Sequence, residues 1–341
     1  MARADVLIVS LGGTAGLREA DEELAASLRR AGARVELART RRPPELRTYA
    51  ALELAWALNA RRAAVLAVRE HNPRAVVYSS TTAALLGPVP GAIRFDAPAA
   101  GNRPGRHGLW QRPVEARRFQ ATPLLVPWSE GGLDEAPTPR AGAVIVPVPV
   151  APSGPPERKD IAAITYGANP EKKGLDRVLA AWARDARAGE ALVVAGLDEA
   201  AGREWLDRAG ASGVGAVRFT GLVPRAEYRA LLRRARVFVT APRREDYGIA
   251  QLEALADGCV LVTNAAAGPY AALPLARALD ARLVDDGLDV RAALDDPVRD
   301  YADRAADALA PFTPAGVDRV VAEELLPRLM GESAPAAAAG R

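Results

Sequence analysis

Short apolar runs alternate with longer helical stretches from one end of this chain to the other, and that alternation restricts the fold more than any other feature. In the first half the runs are DVLIVS (5–10), RVELA (34–38), AVVYS (75–79), AIRF (92–95), LLVP (124–127) and AVIVP (143–147). Residues 17–31 and most of 39–73 read as helix between them. In the second half, IAAITY (161–166), ALVVAG (191–196), AVRFTG (216–221), VFVTAP (237–242) and CVLVT (259–263) alternate with helices predicted at 174–188, 202–210, 225–234 and 248–257. Strands interleaved with helices build mostly parallel sheets covered on both faces. The expectation is an α/β protein of doubly wound, Rossmann-like sheets.

A single core does not suit 341 residues, which fit two domains of about 100–200 residues each. The break falls at PVPVAPSGPPERKD (147–160), where dense proline favours extended, helix-free backbone. The expected division is a first domain at 1–150, a linker at 151–160 and a second domain at 161–310. A C-terminal helix at 311–331 turns back toward the first domain, and 332–341 is a frayed tail. No solenoid repeat is present.

The formal net charge of +3 and pI of about 9.2 are a mild basic excess. It suits an anionic substrate or a membrane surface and is too weak to argue for nucleic acid, for which no motif appears. Cys259 is the sole cysteine, which excludes an intrachain disulfide and a thiolate metal cluster. No apolar run reaches the roughly 18 residues of a membrane span, and MARADVLIVSLGG lacks the apolar core of a signal peptide. A cytoplasmic protein is expected, with peripheral contact at the inner face of a membrane left open.

The chemistry concentrates in APRREDYGIAQLEALADGC (241–259). Ligands of open α/β sheets bind beyond the carboxyl ends of the strands, where helix N-termini present unpaired amides. Glu245 lies in the loop leaving VFVTAP, and Gly248 opens the next helix. The amides of Gly248 and Ile249 then stand at the positive end of the helix dipole, a place for phosphate. Ile249, Leu252, Leu255 and Ala256 form the core-facing stripe, with Glu253 beside it. A carboxylate there has no partner within its own helix. A ribose diol would satisfy it; so would a buried arginine.

Glu245, seven residues, Glu253 and then ALADGCVLVT resembles the E-x7-E signature of retaining GT-B glycosyltransferases of family 4. YGANPEKKGLDRVLAAW is similar to the family's strand, Lys-Gly loop and helix, and VRFTGLVPRAEYRALLRRARVFVTAP to the run before the signature. VSLGG resembles the glycine loop of its N-terminal domain. The likeness is strong over 161–264 and mainly architectural over 1–150. It implies two Rossmann-like domains facing a central cleft, and sugar transfer from a nucleotide-diphosphate sugar with retention and without a metal. Lys173, supported by Lys172, would neutralise the diphosphate. Glu245 would hold the donor sugar and Glu253 the ribose. Gly248, Ile249 and the neighbouring Tyr247 would line sugar and phosphate, Gly12 and Gly13 would close over the phosphates, and Leu222 and Val223 would lie near the base.

Two departures stand out. GANPEKK has no arginine where the family commonly carries one before the lysine, and the family's N-domain histidine is absent from AIRFDAPAAG; His107 is the nearest substitute for a catalytic contact. A non-catalytic nucleotide-sugar binder and a GT-B epimerase or phosphorylase are therefore the alternatives. For the acceptor, the candidates are Asp96, Arg103, Arg106 and Trp110, in a basic stretch (94–119) whose Gly/Pro-rich middle reads as a loop. Such a loop suits a phosphate-bearing or lipid-linked acceptor; the plainer reading is that arginine is abundant throughout, since only three of 45 basic residues are lysine.

Overall fold

Successive residues of a strand face opposite ways, so an unbroken apolar run needs cover on both sides. β1 (Val6–Ser10) illustrates this. Val6 and Ile8 pack with Leu24 and Leu28 of the helix Ala15–Arg30, whereas Leu7 and Val9 pack with Ala60 and Ala64 of the helix Tyr49–His71. The computed structural model describes residues 3–44, 46–103, 105–210 and 216–331. It forms two units, residues 1–149 with 312–341 and residues 150–311.

In the first unit, β1 is joined by β2 (Val35–Arg39), β3 (Ala75–Tyr78), β4 (Ala92–Phe95) and β5 (Leu125–Pro127) in the order β2-β1-β3-β4-β5, all parallel. The chain winds outward from β1 to β2 and then crosses to β3, so the winding reverses between β1 and β3. AVIVP (143–147) is not a strand of this sheet. It runs beside β5, with Val144 N and Val146 N donating to the carbonyls of Leu125 and Pro127. Pro147 and Pro149 have no N–H to extend that ladder.

The helix Pro314–Val320 and the turns after it pack on the same face as the first helix. Val317, Val321 and Leu325 are at most 2% exposed there. Asp318 clamps this segment, accepting from Ser27 Oγ at 2.6 Å and from two nitrogens of Arg30 at 2.6 and 2.7 Å.

The second unit contains β6 (Ile161–Tyr166), β7 (Leu192–Ala195), β8 (Val217–Phe219), β9 (Ala235–Thr240) and β10 (Val260–Thr263), again parallel, in the order β10-β9-β6-β7-β8. Its winding reverses between β6 and β9. Helices Leu175–Asp185, Glu199–Arg208, Arg225–Arg234 and Ile249–Ala256 connect the strands, and Trp182 is fully buried as a core residue. The proline-rich 151–160 segment is not a free tether. Ala151 O accepts from Arg229, Ser153 N and Oγ bond Asp257, and Glu157 and Asp160 pair with Arg233 and Arg234. Proline keeps this stretch extended, and the helix Arg225–Arg234 takes up the Ala151 carbonyl through Arg229 and the Ser153 hydroxyl through Arg233. The tail at 332–341 lies outside the described residues.

Candidate active site

The reversal between β6 and β9 places two loops side by side, 167–174 after β6 and 241–248 after β9, which is where open α/β sheets bind ligands. They are joined backbone to backbone: Arg243 N donates to Lys172 O at 3.0 Å, and Arg243 also reaches Asp176 at 3.0 Å. Gly174 makes the approach possible. Its φ is +62°, and a Cβ on it would lie 1.9 Å from Ala241 O.

Across this seam the two lysines meet two acids. Lys173 Nζ donates to Glu245 Oε2 at 2.6 Å, and Lys172 Nζ donates to Asp246 Oδ2 at 2.7 Å. Gln251 Nε2 donates to the same Glu245 oxygen at 3.0 Å, and Arg244 reaches Asp246 at 3.0 Å. Glu245 is only 4% exposed, so its charge depends on these partners. From the other side its backbone is fixed by Gly268, where a Cβ would sit 2.3 Å from Glu245 O. Tyr247 is buried, and its carbonyl accepts from Ala271 N. Gly248, at φ +92°, opens the helix Ile249–Ala256, and no side chain caps that helix start. Its first amides are therefore without a side-chain acceptor.

Glu253 is buried, and its partners come from the neighbouring helix Arg225–Arg234. Arg225, half-exposed, donates closely to Glu253 Oε1, and buried Arg229 lies 3.5 Å from the same oxygen. Arg229 is anchored in turn by Asp257 Oδ2 at 2.6 Å. Of the two ways to satisfy Glu253, the arginine is the one present. The core-facing stripe also differs from expectation: Ala254 is fully buried with Leu252 and Leu255, while Ile249 and Ala256 are half-buried. Leu222 and Val223 follow β8, with Leu222 83% exposed and Val223 half-buried. Sequence reasoning missed Arg225, Arg229, Gln251 and Asp246. Arg225 with Arg229 and Glu253 with Asp257 share a four-residue spacing, and an acidic pair follows a basic pair in RRED; both were available signals.

In the first unit, Gly12 and Gly13 follow β1 at its reversal point. Gly12 has φ +60° and its carbonyl accepts from Arg18, while Gly13 faces open space apart from half-buried Trp56. Beneath them Asp21 accepts from Ser10 Oγ at 2.5 Å and Ser79 Oγ at 2.9 Å and pairs with buried Arg94, which lies over Trp128. Burial raises the Asp21 carboxyl above its ordinary range despite Arg94.

The 94–119 stretch is largely helical rather than an open loop, with turns at Ala99–Asn102 and Gly105–Gly108 and a helix at Gln111–Ala121. Its arginines are mostly occupied. Arg103 pairs with Glu53 at 3.1 Å, Arg112 holds the carbonyls of Gly105 and Gly108, and Arg118 holds those of Leu85 and Gly87. Asp96 Oδ1 accepts from Ala97 N, and Trp110 is half-buried at the helix start. The side chains of Arg106 and His107 lie outside the described residues. Glu115, packed beneath this segment, accepts from Ala99 N, and burial pushes its carboxyl up to about 6.

Among the described residues, no group of three or more His, Cys, Asp or Glu side chains is placed to hold a metal ion, and no helix is long and apolar enough to cross a membrane.

No curated protein matches the chain. Several solved structures share its fold. A sucrose-phosphate synthase from Thermosynechococcus elongatus aligns at TM-score 0.69 and 14% identity, over 97% of this chain and 100% of its own. Anabaena Alr3699/HepE, in complex with UDP and glucose, aligns at 0.69 and 12%, over 95% and 99%. WaaG, a glycosyltransferase involved in lipopolysaccharide biosynthesis, aligns at 0.61 and 15%, over 96% and 97%. At such identities the likeness fixes the fold, which is GT-B. The family model described as glycosyl transferases group 1 matches residues 160–310, the unit that carries the two lysines and both glutamates. That unit therefore matches the glycosyl transferases group 1 family, and the chain as a whole is similar in fold to GT-B glycosyltransferases.

Proposed function

We propose that this protein transfers a hexosyl group from a nucleoside-diphosphate sugar to its acceptor with retention of anomeric configuration and without a metal. One observation carries the reading: the reversal of the second sheet brings Lys173 within 2.6 Å of Glu245, at the mouth of an uncapped helix start. A compact ammonium there suits a diphosphate leaving group that gains charge as the glycosidic bond breaks. Lys172 and the amides of Gly248 and Ile249 share that load. Glu245 then orients sugar hydroxyls, and Glu253 takes the ribose diol as Arg225 gives way. Leu222 and Val223 border the base. The departing phosphate helps to deprotonate the acceptor through an oxocarbenium-like state, so catalysis rests on positioning and electrostatics.

The acceptor is phosphate-bearing or lipid-linked. Support comes from the mild basic excess and from two relatives: WaaG, whose role is in lipopolysaccharide biosynthesis, and a Burkholderia xenovorans trehalose-phosphate synthase in complex with glucose-6-phosphate. The first experiment is calorimetric titration of UDP, GDP, ADP and TDP, with and without attached glucose. Selective binding that Glu253→Ala weakens at least about tenfold, followed by turnover with a retained anomer, is expected. Binding without turnover in any acceptor screen favours a second reading, a nucleotide-sugar binder, for which the arginine cover over Glu253 already argues. Binding of none of the nucleotides overturns both.

A further inference from the structure

The two polar residues of the helix Ile249–Ala256 are both buried. Glu253 has its arginines, and Gln251, only 1% exposed, has Glu245. An amide so deep costs free energy unless its bonds are made. A substrate cannot reach it there, so whatever it does for the site is done through a neighbour.

Gln251 Nε2 and Lys173 Nζ donate to one and the same oxygen of Glu245, Oε2, at 3.0 and 2.6 Å. Its other oxygen, Oε1, takes no bond among the described residues, and 6% of the side chain still meets solvent. A carboxylate can only accept, so the amide must turn its NH2 toward Glu245. The amide oxygen then faces the helix start. A Cβ on Gly248 would lie 3.2 Å from Gln251 Oε1 and 2.9 Å from the ring of Tyr270. Tyr270 is fixed in turn by Thr263, with 2.8 Å between their hydroxyl oxygens. The bare backbone at Gly248 thus leaves room for an amide held in one orientation.

Two donors on one oxygen have two effects. They keep the carboxylate from turning about its last bond, which leaves Oε1 as the oxygen offered to a ligand. They also free Lys173 to move. When its ammonium turns to a diphosphate, Gln251 still holds Oε2, and the buried carboxylate is not left without a donor. An apolar residue at 251 would fill the same space and do neither. We infer that Gln251 is a positioning residue: by holding Glu245 Oε2 it aims Glu245 Oε1 at the sugar of the bound donor, and so sets affinity for the sugar and not for the nucleotide. This deepens the donor-site reading and rests on it.

The test is calorimetric titration of the full chain with UDP, GDP, ADP and TDP, each alone and as its conjugate with glucose, galactose, mannose or N-acetylglucosamine. Wild type is expected to bind its best conjugate more tightly than the bare nucleotide, and that excess is the contribution of the sugar. Gln251→Met conserves volume and removes the donor. In it the excess should fall about tenfold, the scale of one hydrogen bond to a charged group, while the bare nucleotide binds within about twofold of wild type. Gln251→Glu keeps the shape but sets a second carboxylate against Glu245, and it should lose the excess as well. A glutamine that served only to pack the helix would, when replaced, weaken nucleotide and conjugate alike. That result overturns the inference, as does an intact excess in a variant whose circular dichroism matches wild type; both leave the donor-site reading standing. No excess in wild type for any conjugate also overturns it, because Glu245 would then hold no sugar hydroxyl. Failure of wild type to bind any nucleotide overturns the donor-site reading itself, and this inference with it.

Discussion

Lys173 Nζ lies 2.6 Å from Glu245 Oε2, although 72 residues separate them in the chain. The pair exists because β6 and β9 are neighbours at the reversal of the second sheet, so the loops that leave them run side by side. Neither charge could be held alone in so buried a place at little cost, and each makes the other tolerable.

Lys173→Ala should therefore act on turnover far more than on folding. With the ammonium gone, Glu245 keeps its bond from Gln251, and unfolding free energy should fall by about 1–3 kcal/mol. The turnover number should fall about 10²-fold, the scale for losing one preorganised charge at a leaving group. Steady-state kinetics beside a urea melt separate the two; a wild-type turnover number would remove Lys173 from the leaving-group role.

The two arginines on Glu253 should behave unequally. Arg229 is 6% exposed and links Glu253, Asp257 and Ala151 O. Arg229→Ala removes the one buried cation that Glu253 and Asp257 share, leaving Asp257 with Ser153 and Glu253 with half-exposed Arg225, and should cost about 3 kcal/mol. Arg225 is half-exposed, and Arg225→Ala should cost less than about 1 kcal/mol. Chemical denaturation of the two variants side by side decides this, and equal losses would contradict the anchoring role given to Arg229.

Gly174→Ala tests the seam between the loops. The added Cβ meets Ala241 O in a backbone conformation that alanine disfavours, so the strand-leaving loops must separate. A loss of about 2–3 kcal/mol is expected, together with weaker nucleotide binding because Lys172 and Lys173 shift away from their acids. Nucleotide affinity unchanged in a folded variant would show that the seam does not position the site.

Glu115 gives the first unit a pH dependence of definite sign. Its folded carboxyl titrates near 6, above its ordinary 4.5, because burial opposes the charge. The folded state then holds more protons than the unfolded state between those values, so stability falls as pH rises through that window, by about 2 kcal/mol in all. Glu115→Gln removes this dependence, and its stability relative to wild type should climb from pH 4.5 to pH 6 and then level off. A constant difference across thermal melts in that range would refute the assignment.

Truncation after residue 311 should unfold the first unit. Val317, Val321 and Leu325 fill one face of its core, and their burial is worth about 1.5–3 kcal/mol each, which together rivals the whole stability of a domain. Retained cooperative melting of the first unit in the truncated chain would contradict this.

Much of this was legible in the sequence, for definite reasons. A strand covered on both faces is apolar throughout, so β1, β3, β6 and β9 announce themselves, and the alternation with helices leaves little choice but parallel doubly wound sheets. Gly248 and Gly174, whose positions need φ above zero, mark the two loops that matter. Where periodicity failed, it failed for want of partners. AVIVP has a strand's composition, but the prolines beyond it lack the donors to continue the ladder. The basic 94–119 stretch looks like a loop awaiting an anion until Glu53 and the carbonyls of Leu85, Gly87, Gly105 and Gly108 are seen to take its arginines.

The sequence by itself determined the alternation of strand and helix that leads to parallel, doubly wound sheets, because that follows from local spacing of apolar residues, glycine and proline. The tertiary structure alone decided how each buried charge is satisfied: that Glu253 faces Arg225 and Arg229, that Glu245 faces Lys173, and that Arg94 lies against Asp21. A helix or strand depends on neighbours a few residues away, whereas a buried ion needs an opposite charge within a few ångströms in space, and only the folded chain brings that charge to it.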